Sequence, residues 1–161
     1  MIGNSVNQVE MISINKSFGG LRVLNHVNFS ARAGEVHCLM GENGAGKSTL
    51  MKILSGAYQK DEGEIFIGGK KADITSPKDG RNYGISVIYQ EFALAKHLTV
   101  AENIFIDNLG SGRSLINWRK LSENARNLLE QLAFGDIDVM TPVSELSVAY
   151  QQVVEICKAL S

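Results

Sequence analysis

Gly41-Glu42-Asn43-Gly44-Ala45-Gly46-Lys47-Ser48-Thr49 fits the pattern G-x-x-x-x-G-K-[ST], and the reading of this stretch decides the fold. Glycines in such a turn let successive backbone N–H groups converge on an anion, because no Cβ blocks the approach and positive φ is allowed. A helix starting directly behind them adds its own first-turn N–H groups and the positive end of its dipole. In this pattern Lys47 reaches toward terminal phosphates, and the Ser48 hydroxyl is a ligand for Mg²⁺ beside them. The setting it requires is strand, loop, helix. Val36-His37-Cys38-Leu39-Met40 is a short apolar run, as expected of a strand buried on both faces of a parallel sheet. Behind Lys47, the residues Leu50, Met51, Ile53 and Leu54 recur at helical spacing, with Gly56 as the stop.

The rest of the composition narrows the class. With 161 residues, 44% of them hydrophobic, the chain can bury a core. A net charge of −1 gives no electrostatic argument for nucleic acid or an acidic membrane surface as partner. No apolar run approaches the roughly 18 residues that span a bilayer, and no signal-peptide core is visible, so a cytosolic chain is expected. Cys38 and Cys157 are expected to be buried packing thiols in a reducing compartment. His26, His37 and His97 lack metal-ligand spacing, which argues against zinc.

Outward from the cradle, Val9–Ile14 and Val23–Phe29 read as strands of an antiparallel unit. Lys16-Ser17-Phe18-Gly19-Gly20 reads as the turn between them, and its ring either faces a nucleobase or packs as a satellite core residue. Glu64–Ile67 with Gly68-Gly69 reads as a strand entering a tight hairpin. Ser76, Pro77 and Asp79 open a short helix that Gly84 ends. Ile85-Ser86-Val87-Ile88-Tyr89 is a second candidate for a central sheet, with Gln90 at the strand end that faces the ligand crevice. The second half is helical: Thr99 and Glu102 form a capping box, and Asn117 caps a helix stopped by Gly135. Residues 107–114 read as a flexible loop. Ser147 caps a last helix whose apolar face is Val153, Val154, Ile156, Cys157 and Leu160.

Taken together, these stretches resemble the nucleotide-binding subunit of ABC transporters along essentially the whole chain. Lys16–Gly19 is similar to the A-loop, which stacks an aromatic ring on adenine. Gly41–Ser48 is similar to Walker A and Ile88–Glu91 to the Q-loop. Leu146-Ser147-Val148-Ala149-Tyr150-Gln151-Gln152 is similar to the signature motif. The phrases Gly41–Leu50 and His97-Leu98-Thr99-Val100-Ala101-Glu102-Asn103-Ile104 resemble importers of ribose-type and other monosaccharides. The resemblance implies an α/β P-loop NTPase of the ABC ATPase type, with an N-terminal antiparallel β unit and an α-helical subdomain. Its divisions would be a β unit and P-loop core to about residue 95, a helical subdomain to about 145, and the signature helix from 146 to 161. It implies ATP and Mg²⁺ as ligands, with Phe18, Gly41, Glu42, Asn43, Gly44, Ala45, Gly46, Lys47, Ser48, Thr49 and Gln90 around the nucleotide, and Ser48 and Gln90 toward the metal. Ser147 would face ATP held by a second nucleotide-binding domain. Membrane permease subunits would be direct partners on the inner face of the membrane, and a periplasmic sugar-binding protein an indirect one.

Two departures from that pattern carry expectations of their own. Where the common signature has two glycines and a glutamine after its serine, this chain has Val148, Ala149 and Tyr150, which implies a weakened contact with the partner's phosphate. No apolar strand ending in Asp-Glu and no switch histidine follows the signature helix, so the sequence reads as part of a longer polypeptide, without hydrolytic residues of its own. The alternatives are a non-transport ABC ATPase of the translation or DNA-repair type, which would carry basic insertions, and another P-loop NTPase, which would leave the Gln90 and Ser147 segments unexplained.

Overall fold

The computed structural model describes residues 7–89, 92–109 and 116–161, Asn108 by its backbone only. Its contacts divide into two compact units, residues 1–86 and 87–161.

The first unit is built on a four-stranded antiparallel sheet in the order β2-β1-β3-β4, with β1 at Asn7–Phe18, β2 at Leu21–Arg32, β3 at Glu62–Ile67 and β4 at Lys70–Ala72. Gly19 and Gly20 close the first hairpin, with φ of 55° and 84°. Two consecutive positive φ values match the twist of the strands, and glycine reaches them without steric cost. Gly68-Gly69 closes the second hairpin in the same way. The turn expected over Lys16–Gly20 therefore shrinks to its two glycines, and Lys16, Ser17 and Phe18 belong to β1. The strands are not regular: the β1–β2 register shifts between Met11 and Lys16. The buried Asn15 side chain holds that irregularity, accepting the His26 N–H at 2.9 Å and donating to Glu62 Oε2 at 2.9 Å.

Helix α1, Lys47–Leu54, turns Leu50 and Ile53 into the core formed with Met11, Ile14, Leu24, Ile65, Ala72 and Ile74. Helix α2, Pro77–Asn82, begins as its sequence requires: Ser76 Oγ accepts the Asp79 N–H, and proline occupies the first turn. The Asp79 carboxylate is held below its usual range by hydrogen bonds from the hydroxyls of Ser76 and Thr75 and from the Thr75 N–H.

The two strands expected of a parallel central sheet are not formed. Residues 36–40 and 85–89 are irregular, Val36 and Met40 are 97% and 88% exposed, and Cys38 is exposed rather than buried. An apolar run becomes a buried strand only when neighbours take its N–H and C=O groups and cover both faces. Among the described residues neither segment has a ladder partner.

The second unit packs α3 (Val100–Ile104), α4 (Trp118–Gln131) and α5 (Val148–Leu160) around Val100, Ala101, Ile104, Ala125, Leu129, Val139, Val143, Val154 and Cys157. The capping box is present: Thr99 Oγ accepts the Glu102 N–H while the Glu102 carboxylate accepts the Thr99 N–H at 2.8 Å. The first-turn N–H groups of Val100 and Ala101 donate to the carbonyls of Thr141 and Val139, each at 3.0 Å. Asn103, fully buried, staples the preceding loop: its Oδ1 accepts the Ala95 N–H at 2.7 Å, and its Nδ2 is within 3.2 Å of the carbonyls of Ala95, Leu98 and Thr99.

Asn117 caps α4 as expected, but the helix ends at Gln131 with Leu132 as its C-cap, and the left-handed residue that follows is Ala133, φ 63°, rather than Gly135. The Phe134 N–H donates to the Leu129 carbonyl at 2.8 Å, so the closing hydrogen bond imposes the conformation without a glycine. In the loop expected over 107–114, Ile106–Asn108 forms a 3₁₀ turn, and residues 110–115 lie outside the described residues. On α5, Ile156 and Leu160 are exposed, while Glu155 shares the buried face with Val153, Val154 and Cys157. A buried carboxylate at that place is tolerated because it finds a donor, the Ala93 N–H at 2.5 Å.

Candidate nucleotide-binding elements

The loop 41–46 leads into α1 on Gly46, a left-handed cap with φ 84° and ψ 2°. No side chain makes a capping hydrogen bond to this helix. A Cβ on Gly46 would stand 2.6 Å from Leu24 Cδ2 and 3.2 Å from the Val23 carbonyl, so glycine lets the loop lie directly on β2. Within the loop the Ala45 N–H donates to the Glu42 carbonyl at 3.2 Å, and Gly44 has a φ of 86°. The Lys47 side chain folds back over the turn, its Nζ donating to the carbonyls of Gly41 at 2.6 Å and Glu42 at 2.7 Å. Ser48 is exposed, and Thr49 is half-buried. The stretch thus presents a positively charged ammonium, a hydroxyl and a helix start without a side-chain cap, all suited to an anion with several oxygens.

Of these groups the Ser48 hydroxyl is the one whose oxygen suits Mg²⁺. A hydroxyl oxygen is a hard ligand, and among the described residues no cluster of three His, Cys, Asp or Glu side chains forms a cage. Mg²⁺ is characteristically held by one or two protein oxygens together with phosphate oxygens and water, and the exposed Ser48 hydroxyl is an oxygen of that kind. Gln90, the other residue expected at the metal, lies outside the described residues.

Phe18 sits at the hairpin end of β1, opposite Leu21, and is 41% exposed. It is therefore a surface ring, not a core residue. It meets Tyr58 edge to face, with 5.3 Å between centroids and 66° between planes. Lys16 Nζ lies 5.3 Å from the Phe18 centroid and 2.7 Å from Asp61 Oδ1. The other Asp61 oxygen accepts the Ser17 N–H at 2.7 Å, and these contacts, Lys16 foremost, hold the Asp61 carboxyl below its usual range.

In the second unit Ser147 caps α5: its Oγ accepts the Tyr150 N–H at 3.4 Å. Tyr150, standing where the signature pattern has glutamine, sends its hydroxyl to Asp136 Oδ2 at 2.5 Å, and the carboxylate raises the phenol pKa. Gln151 Nε2 donates to the carbonyls of Val143 at 3.3 Å and Leu146 at 3.0 Å, bracing the approach to the helix. Val148 is exposed in the first turn. Lys158 and Glu155 together hold Ala93, the lysine on its carbonyl at 2.9 Å and the glutamate on its N–H.

Motif reading missed Tyr58, Asp61, Asn103, Asp136 and Glu155. Tyr58 carries the one signal that could have been used, an aromatic two residues past the stop of the cradle helix. Asp61, Asp136 and Glu155 act through contacts 14 or more positions away, and Asn103 through a loop four to eight residues before it.

Comparison with known proteins identifies the family. A family profile described as ABC transporter matches residues 24–161. A ribose import ATP-binding protein of Rhizobium meliloti is 54% identical over 149 residues, covering 92% of this chain and 29% of that protein. An arabinose import ATP-binding protein of Chromohalobacter salexigens is 47% identical over 147 residues, covering 91% of this chain and 30% of the relative. The chain therefore spans about 30% of the length of these curated relatives. The crystal structure of the ADP conformation of an ATP-binding cassette of an ABC transporter superposes with a TM-score of 0.82 at 29% identity, over 96% of this chain and 64% of that one. A nucleotide-free cassette superposes with a TM-score of 0.81 at 30% identity, with the same coverage. With its glycine-started helix, antiparallel unit and serine-capped last helix, the chain belongs to the ABC transporter family and shares the P-loop fold of its ATP-binding cassettes.

Proposed function

We propose that this chain provides the nucleotide-gripping part of an ATPase that drives sugar import through an ABC transporter. The observation that carries the reading is the Lys47 ammonium folded over a loop whose helix starts on a bare glycine. On binding, Lys47 would exchange two carbonyl acceptors for terminal phosphate oxygens, while backbone N–H groups at the start of α1 take the remaining charge. Ser48 and Gln90 would be the residues that hold Mg²⁺, whose chemistry when bound is to neutralise phosphate charge. Phe18 would stack on the base. Ser147, at the start of α5, would face the nucleotide of a second nucleotide-binding domain.

Relatives that are ribose, arabinose and galactose import ATP-binding proteins support a pentose or a related sugar as the imported substrate. Permease subunits would be the membrane partners, with a periplasmic sugar-binding protein acting through them. Among the described residues no helix is long and apolar enough to cross a membrane, which fits peripheral attachment at the inner face. This reading assigns no general base to the chain, so its own contribution is binding. Calorimetry on the whole protein tests it: Lys47→Ala is expected to weaken MgATP about 10–100-fold, the size of a lost charged hydrogen-bond set. Unchanged affinity would remove the basis of the reading.

A further inference from the structure

The ring of Phe18 has a neighbour that no motif names. Tyr58 lies on the turn behind α1, its N–H donating to the Lys52 carbonyl at 3.0 Å. Its ring meets Phe18 edge to face, and it is 36% exposed, so the pair forms a surface feature rather than part of either core. An ammonium flanks each ring: Lys16 at 5.3 Å from Phe18 and Lys52 at 5.1 Å from Tyr58. Lys52 is a residue of α1, the helix that begins at Lys47. Tyr58 therefore links the aromatic end of the β1–β2 hairpin to the helix that sets the phosphate loop.

A phenylalanine at a strand end is free to turn about two side-chain torsions, and a ring of undefined plane is a poor stacking partner. An edge-to-face neighbour removes that freedom, because the quadrupoles of two rings favour one relative orientation. We propose that Tyr58 is a positioning residue for the nucleobase: it fixes the plane of Phe18, so that the pair receives the flat ring of a purine nucleoside triphosphate. The inference rests on the reading of residues 41–49 as a triphosphate cradle. Stacking reads ring area and not the hydrogen-bonding edge of the base. The pair should accordingly favour purine over pyrimidine nucleotides, tolerate adenine and guanine alike, and add nothing to the binding of inorganic tripolyphosphate.

The test compares MgATP, MgCTP and magnesium tripolyphosphate by calorimetry on the whole protein, as wild type, Tyr58→Leu and Tyr58→Phe. Tyr58→Leu is expected to weaken MgATP about 2–10-fold, the size of an aromatic pair, with tripolyphosphate unchanged and the preference for ATP over CTP reduced. Tyr58→Phe, which keeps the ring, should restore wild-type affinity. An equal loss for ATP and tripolyphosphate in Tyr58→Leu would mark damage to the fold and overturn the assignment, as would an unchanged ATP affinity. Wild-type protein that fails to bind tripolyphosphate with magnesium would instead bring down the cradle reading, and this inference with it.

Discussion

Helix α1 and helix α5 both begin within stretches that the sequence marks as nucleotide motifs, but they start differently. The first begins on Gly46, which offers no side chain to its N–H groups, and the turn before it is shaped by glycines and by the lysine's own bonds. The second begins on Ser147, whose hydroxyl already takes the Tyr150 N–H, on a segment braced by Gln151 and by the Tyr150–Asp136 contact. One start has its donors left for a ligand; the other has one of them satisfied from within. The difference separates a helix start shaped by backbone from one held by side chains.

The contrast breaks most easily at Gly46. Alanine there must adopt a left-handed φ of 84° with its Cβ 2.6 Å from Leu24 Cδ2. Strain and overpacking should together cost about 2–4 kcal/mol, measured by urea unfolding of the whole protein. Ser147→Gly should cost only a few tenths of a kcal/mol. Equal effects at the two sites would erase the distinction between a backbone-shaped start and a side-chain-capped one.

The second unit depends on side-chain polarity instead, and Asn103→Ala sharpens that point. It strands the half-buried Ala95 N–H together with carbonyls that Nδ2 now serves, at an expected cost of about 2–3 kcal/mol in the same experiment. Ser147→Ala should cost about 1 kcal/mol. Ser48→Ala should leave unfolding unchanged and lower only the magnesium dependence of ATP affinity. The smallest effect is chemical. At pH 8 exposed Cys38 should react with iodoacetamide while Cys157 stays silent until denaturant is added, as peptide mapping would show. Burial pushes the Cys157 thiol up to about 11. Its stabilising contribution is therefore complete below the ordinary thiol pKa and lost as pH rises from there through about 11, because the unfolded thiol ionises first.

Short-range chemistry was legible and pairing was not. The helix starts at Ser76, Thr99, Asn117 and Ser147 stand where their capping side chains put them, and both glycine pairs close hairpins. Each of these signals lies within four residues, so the sequence states it completely. The run Val36–Met40 carries as strong an apolar signal, yet it forms no strand, because a strand also needs partners that a local pattern does not describe. The same limit hid the clasp of Glu155 and Lys158 on Ala93, more than sixty positions away. Around the phosphate loop the motif supplied the residue identities, and the structure added what the lysine and the glycine touch.

The Asn103 staple has a consequence for the lifetime of the protein. Asparagine is among the thermolabile side chains, and its slow hydrolysis replaces an amide with a carboxylate of nearly the same shape. At this position the exchange would turn the nitrogen now shared among the carbonyls of Ala95, Leu98 and Thr99 into an oxygen that repels them. A mass change of a single unit would then act as ageing damage, loosening the 95–99 loop from α3 while the outline of the core stayed the same.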